Sequence, residues 1–340
     1  MTSAPRPLEP QCAWTAADVA DESTWTEVLS TDEQAELDTA LRHALATSDD
    51  VLAIGRDDFP LPNLAPRIAA IEEELINGRG FVRIRGIDRT SYSQAEMEML
   101  YWGIGAHLGR PWAQNAHGHV LGDVTDQRKA IEDPTARGNE LGGVGLPFHC
   151  DGSDLVGLLC LTNGIAGGLS AVACSVTIHN RLVEERPDLA AALYDEYPYD
   201  ARGEQAEGDR PFYLVPVFTE WGGRLFVRAI PPYIRASQRH PEAPRLTPVQ
   251  SEALDALVAL ADDPDTHVTM ELRPGDMQFI NNYHVLHGRT PYADDRATGA
   301  VRHLKRLWLE TEVLADRPPR FRHRRNHWED TRTASRLTTT

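Results

Sequence analysis

The residues able to do chemistry in this chain start at one point. In PFHCDGSDLVGLLCL (147–161), His149 and Asp151 stand at the head of a strongly apolar run. Such groups are costly to bury unless they are paired, hydrogen-bonded or bound to a metal. Strand alternation predicts both on one face, with Cys150 on the other. A third donor, His287, lies in RPGDMQFINNYHVLHGRTPY (273–292), where a turn signal leads into a strand and Gly288 permits close backbone approach. Arg302 and Arg306 follow in VRHLKRLWL (301–309), four apart and therefore on one strand face. Two imidazoles and one carboxylate on one face of a metal suit non-haem Fe(II), and they leave positions open for reactants. An arginine fork holds a carboxylate in two places. Iron chelated by the keto-acid end of 2-oxoglutarate, with an arginine on the far carboxylate, would use all four residues. On these residues alone a hydrogen-bonded His-x-Asp pair remains an open alternative.

Positioning such a set requires strands, and the later chain supplies them. LVGLLCL, LSAVACSV, FYLVPVF, GRLFVRAI and VRHLKRLWL are short apolar runs with Gly and Pro turns between them. They predict a sandwich or barrel rather than a doubly wound sheet. Helical inserts interrupt them at TIHNRLVEERPDLAAALYDEY and TPVQSEALDALVALADD. Earlier, STDEQAELDTALRHAL carries a cap signal at Ser30 or Thr31, residues 63–77 and SQAEMEMLYWGIGAHLG read as helices, and GFVRIRGI (80–87) as a half-buried strand. The stretch 110–147 is rich in Gly, Asn, Asp and Pro and reads as a long functional loop, a lid over the site. Residues 313–340 read as a basic, polar tail with little to bury.

Composition narrows the partners. The 340 residues carry a formal charge of −17, with only Lys129 and Lys305 as lysines, which argues against nucleic acid or an anionic membrane. The sequence shows no apolar stretch of membrane-spanning length and no basic start followed by an apolar segment, so the expected location is cytoplasmic. Cys12, Cys150, Cys160 and Cys174 lack metal-finger spacing and read as reduced thiols. The expected partner is a small-molecule substrate; a homo-oligomer is open.

With those blocks assembled, the sequence resembles the TauD/TfdA family of Fe(II)/2-oxoglutarate dioxygenases, within the clavaminate synthase-like superfamily. FHCDGSDLVGLLCL, GGLSAVACSV, PGDMQFINNYHVLHGRT and RHLKRLWL match family blocks in order, and the likeness runs from residue 80 to 309. The resemblance implies a mainly β protein with flanking helices (α+β), built on a double-stranded β-helix, or jelly-roll, core. It implies one domain overall: a helical segment at 1–79, the core at 80–312 and the tail beyond. It makes His149, Asp151 and His287 the iron ligands and Arg302 the partner of 2-oxoglutarate. Ser170, in GGLS, stands where the family places a threonine hydroxyl on the same carboxylate. Arg306 would meet an acidic substrate group or exchange roles with Arg302, and a structural ion pair is an equal alternative for it. Gln114 and Asn115 are candidates to line the substrate cavity, and His284 is a packing residue beside His287. The implied reaction hydroxylates an unactivated C–H bond of a small anionic or amino-acid-like molecule, consuming O2 and splitting 2-oxoglutarate into succinate and carbon dioxide. Two alternatives keep the jelly roll: an isomerase or hydrolase using another divalent metal, and a non-catalytic binding protein.

Overall fold

Two serines open the helices that flank the core. Ser30 and Ser93 each accept a hydrogen bond from the backbone N–H three residues on, and the Glu33 and Glu96 carboxylates accept one from the cap backbone N–H. These reciprocal bonds satisfy donors that a helix start leaves without partners. The computed structural model describes residues 5–8, 13–115, 117–129 and 137–321.

The helices are α1 (Thr31–Thr47), α2 (Ala65–Asn77), α3 (Gln94–Leu108), α4 (Ser175–Glu185), α5 (Pro187–Ala192), α6 (Pro231–Ser237) and α7 (Pro248–Ala261). Nine strands frame the site: β1 (Phe81–Arg85), β2 (Leu121–Thr125), β3 (Leu146–His149), β4 (Leu155–Thr162), β5 (Ser170–Cys174), β6 (His267–Met270), β7 (Met277–Asn281), β8 (Val285–Arg289) and β9 (His303–Glu310). The larger sheet runs β1-β7-β4-β9-β2, antiparallel throughout, with Thr26–Val28 added parallel to β1 at its edge. The smaller sheet runs β6-β5-β8-β3, also antiparallel. Helices α2 and α3 pack on the larger sheet, and α4 and α7 on the smaller. Apart from the steps β1 to β2 and β5 to β6, consecutive strands alternate between the two covered sheets, as in a jelly roll.

Three features depart from the sequence reading. The stretch 110–147 contains strand β2, which pairs with β9; its Gly122 and Asp123 mask the strand signal, and pairing in the folded sheet overrides local propensity. Helix α6, which the sequence reading left unassigned, starts at a double proline, a residue suited to a first helical turn. The tail does not begin at 313. Leu314, Arg317 and Phe321 are buried, and Arg317 pairs with the buried Asp154 at 2.8 Å. Residues 322–340 and Cys12 lie outside the described residues, as do 116 and 130–136 of the expected lid. Cys150, Cys160 and Cys174 are buried free thiols, as read. Among the described residues no helix is long and apolar enough to cross a membrane.

Candidate active site

The space between the sheets is a cavity of about 430 Å³. Strand alternation determines what faces it. Val156 and Leu158 of β4, Gln278 and Ile280 of β7, and Arg306 and Trp308 of β9 line one side. His149, Ser170, His287 and Arg289 line it from the smaller sheet.

His149 ends β3 and faces His287 of β8 as its register partner, with ring centroids 4.3 Å apart. The two strands come this close because a Cβ on Gly288 would lie 2.8 Å from the Leu146 carbonyl oxygen, a separation only glycine allows. His149 Nδ1 lies 2.8 Å from the Pro147 carbonyl oxygen. A carbonyl only accepts, so Nδ1 carries the proton and Nε2 keeps its lone pair.

Asp151 lies just beyond the strand, so alternation alone does not aim it. Asn282 does. Its Oδ1 accepts from Asp151 N at 2.6 Å, and its Nδ2 donates to the carbonyls of Asp151 and Ser153 at 2.8 and 2.9 Å. Cys150, between the histidine and the aspartate, is buried, its N–H on the Ala229 carbonyl at 2.7 Å. Ligand atoms of His149, Asp151 and His287 all fall within 4.8 Å of one another, the separation a single ion bridges. Replacing Asn282 with alanine frees this turn. We expect Fe(II) affinity to fall by about 10–100-fold, the usual effect of losing a ligand's support. An Fe(II) titration checks this, and unchanged affinity would remove Asn282 from the account.

The charges suit a divalent cation. Burial alone would raise the Asp151 carboxyl, but Arg306, His287 and His149, with the Trp308 indole N–H, hold it well below the usual carboxylate range. Burial, with His149 and Arg306 nearby, pushes the His287 imidazole down to about 3, so it is neutral with a lone pair available. Arg306 Nη1 and Trp308 Nε1 both donate to Asp151 Oδ2 at 3.0 Å. The same Oδ2 lies 3.9 Å from His287 Nε2, so the two donors fix the carboxylate beside the imidazole.

Away from the triad, the cavity ends in donors with nothing to donate to. Nε and Nη1 of both Arg302 and Arg289 are buried without hydrogen-bond partners, as is Gln278 Nε2. Buried N–H groups are rarely left unsatisfied, so the cradle fits an acceptor absent from the protein itself. Ser170 Oγ donates to Gln278 Oε1 at 2.6 Å beside it. Gly168, at φ +72°, lets Arg302 in: a Cβ there would sit 2.7 Å from its Nε. Burial, reinforced by Arg289, lowers the Arg302 guanidinium to about 10.

The family comparison decides what kind of protein this is. The profile of the taurine catabolism dioxygenase TauD, TfdA family matches residues 29–308. The chain belongs to the TauD/TfdA family. It is an Fe(II)/2-oxoglutarate-dependent oxygenase. FR-33289 synthase of Streptomyces rubellomurinus (strain ATCC 31215) is 33% identical over 310 residues, covering 90% of this chain and 91% of the relative. Enduracididine beta-hydroxylase of Streptomyces hygroscopicus is 28% identical over 266 residues, covering 70% and 73%. A solved asparagine oxygenase, bound to Fe(II), 3-hydroxyasparagine and succinate, shares the fold at a TM-score of 0.63 and 20% identity, over 84% of this chain and 93% of that one.

The other candidates from the sequence divide. Gln114 is buried in the cavity wall, accepting from Arg306 Nε at 2.8 Å and donating to the Arg306 carbonyl at 2.7 Å. Asn115 does not line the cavity; its Oδ1 accepts from the His117 and His119 backbone and closes a turn. Arg306 lines the cavity, but two of its nitrogens are engaged by Gln114 and Asp151, which leaves little of the fork for a substrate acid. His284 faces Cys174 Sγ at 3.9 Å, outside this cavity. Arg289, Trp308, Gln278 and Asn282 were missed. The first two sit two residues beyond His287 and Arg306, so strand alternation would have found them.

Proposed function

We propose that His149, Asp151 and His287 hold the iron, that Arg302 holds the far carboxylate of 2-oxoglutarate beside Ser170, and that the substrate hydroxylated is a small anionic or amino-acid-like molecule. One observation carries the reading. A three-ligand cluster and a cradle of buried, partnerless donors face a single cavity.

Bound iron, with 2-oxoglutarate and dioxygen, supplies the oxidant that breaks a substrate C–H bond as the keto acid becomes succinate and carbon dioxide. The chain's share is placement. Arg302 and Arg289 offer their free N–H groups to a carboxylate, and these charge-assisted bonds strengthen in a buried site. Trp308 and Arg306 fix the Asp151 carboxylate. Val156, Leu158, Ile280 and Leu141 keep water from the reacting centre. The enduracididine relative acts on an amino acid by its name, which supports the substrate class assigned here.

The test is a visible spectrum recorded without oxygen. Fe(II) followed by 2-oxoglutarate should produce a weak metal-to-ligand charge-transfer band that needs both additions. Iron-loaded protein that gives no band would sink the 2-oxoglutarate assignment.

A further inference from the structure

The cavity is more cationic than a metal triad and a keto acid require. Among the described residues, six arginines line it against two carboxylates. Arg306 pairs with Asp151, Arg137 pairs with Glu204, and Arg289 lies beside Arg302 at the keto-acid end. Arg202 stacks over the Tyr233 ring, 4.9 Å from its centroid, and Arg228 belongs to none of these groups.

Arg228 follows the strand Arg224–Val227, is only 8% exposed, and its Nε has no hydrogen-bond partner. No carboxylate of the described residues lies within ion-pair distance of it. Its main chain is fixed on both sides, with its N–H on the Val217 carbonyl at 2.8 Å and its carbonyl accepting from the Tyr199 hydroxyl. The Tyr213 hydroxyl bonds its side chain. The guanidinium borders Gly152, next to Asp151: a Cβ on Gly152 would lie 3.5 Å from Arg228 Nη2 and 3.3 Å from the Trp308 ring. A buried guanidinium without a counter-ion is costly to keep, and a bound anion offsets that cost.

We propose that Arg228 anchors the substrate by an oxyanionic head group, of carboxylate, sulfonate or phosphate chemistry. That contact would set which C–H bond faces the triad. The sequence gives this role to Arg306, whose fork is already committed to Asp151 and Gln114. The choice of C–H bond rests on the oxygenase reading above; the anion contact itself does not.

Wild-type protein and Arg228→Gln, loaded anaerobically with Fe(II) and 2-oxoglutarate, are titrated with butyrate, propane-1-sulfonate and propyl phosphate. Tryptophan fluorescence and the visible band are both followed. At least one probe should saturate the wild type, and its affinity should fall by about tenfold or more in Arg228→Gln, the effect of losing charge-assisted bonds. Arg228→Lys should recover part of the loss. Equal affinity in wild type and Arg228→Gln, or no saturable probe for the wild type, overturns the proposal. If Arg228→Gln does not fold, Tyr213→Phe provides the test: it loosens the guanidinium and should weaken binding of the same probe by about threefold, whereas unchanged affinity counts against the anchor. A missing visible band with an intact Arg228-dependent fluorescence titration would sink the oxygenase reading and leave the anion site standing.

Discussion

Replacing Asp151 with alanine is expected to abolish both Fe(II) retention and 2-oxoglutarate turnover, the latter by about a thousandfold or more, as when an active site loses a central electrostatic element. The same change should destabilise the fold. Arg306 would keep its buried guanidinium with no anion opposite it, and breaking one side of such a pair costs about 3–5 kcal/mol. The two effects separate in a second variant. Asp151→Ala with Arg306→Met removes both charges and should regain most of the lost stability while recovering no turnover. Urea midpoints and succinate formation check the two halves. Turnover surviving in Asp151→Ala would refute its place in the metal site. The pH dependence has a definite sign. The Asp151 carboxyl is held below its ordinary value, so its stabilisation is present above pH about 4 and is lost as pH falls further.

Much of this site was legible because strand periodicity is strict. His149 and His287 are cross-strand partners, and Arg302 and Arg306 reach one cavity across a bulge, as the spacing required. Gly288 was read as a site of close approach, and a carbonyl fills the space its missing Cβ leaves. What the sequence did not show was pairing in space. Nothing in the run MQFINN marks Asn282 as the residue that aims Asp151, because its partners lie more than a hundred positions away. Arg306 read equally as a substrate contact or a structural ion pair, because a guanidinium on a cavity face does not show which carboxylate meets it; the structure supplies the ion pair, with Asp151. Asn115 failed differently. Short amides close turns as readily as they line pockets, and local hydrogen bonding took this one. The first part of the tail was misread because its buried residues are too sparse to show a period.

Arg302→Met should weaken 2-oxoglutarate and strengthen the empty protein. In the folded chain Arg302 is only 4% exposed, two of its nitrogens lack partners, and Arg289 stands beside it. Its pKa, near 10, lies below the ordinary guanidinium value, so the cost of folding it charged is present throughout the neutral range and is relieved only as pH rises past 10. Methionine fills much of the same space without that charge. The unliganded variant should therefore melt higher than wild type, by about 2 °C for each kcal/mol recovered. Wild type should gain stability when 2-oxoglutarate is added, since a carboxylate completes the cradle; the variant should gain little. The KM for 2-oxoglutarate should rise by about a hundredfold, the loss of two charge-assisted bonds of about 1.5 kcal/mol each. At saturating 2-oxoglutarate, kcat should change far less, because in the proposed site the residue would hold the end of the keto acid remote from the metal. Steady-state kinetics and thermal melts with and without 2-oxoglutarate test the pair together. A variant with an unchanged KM would remove Arg302 from the site, and a large response in Arg289→Met would move the anchor there.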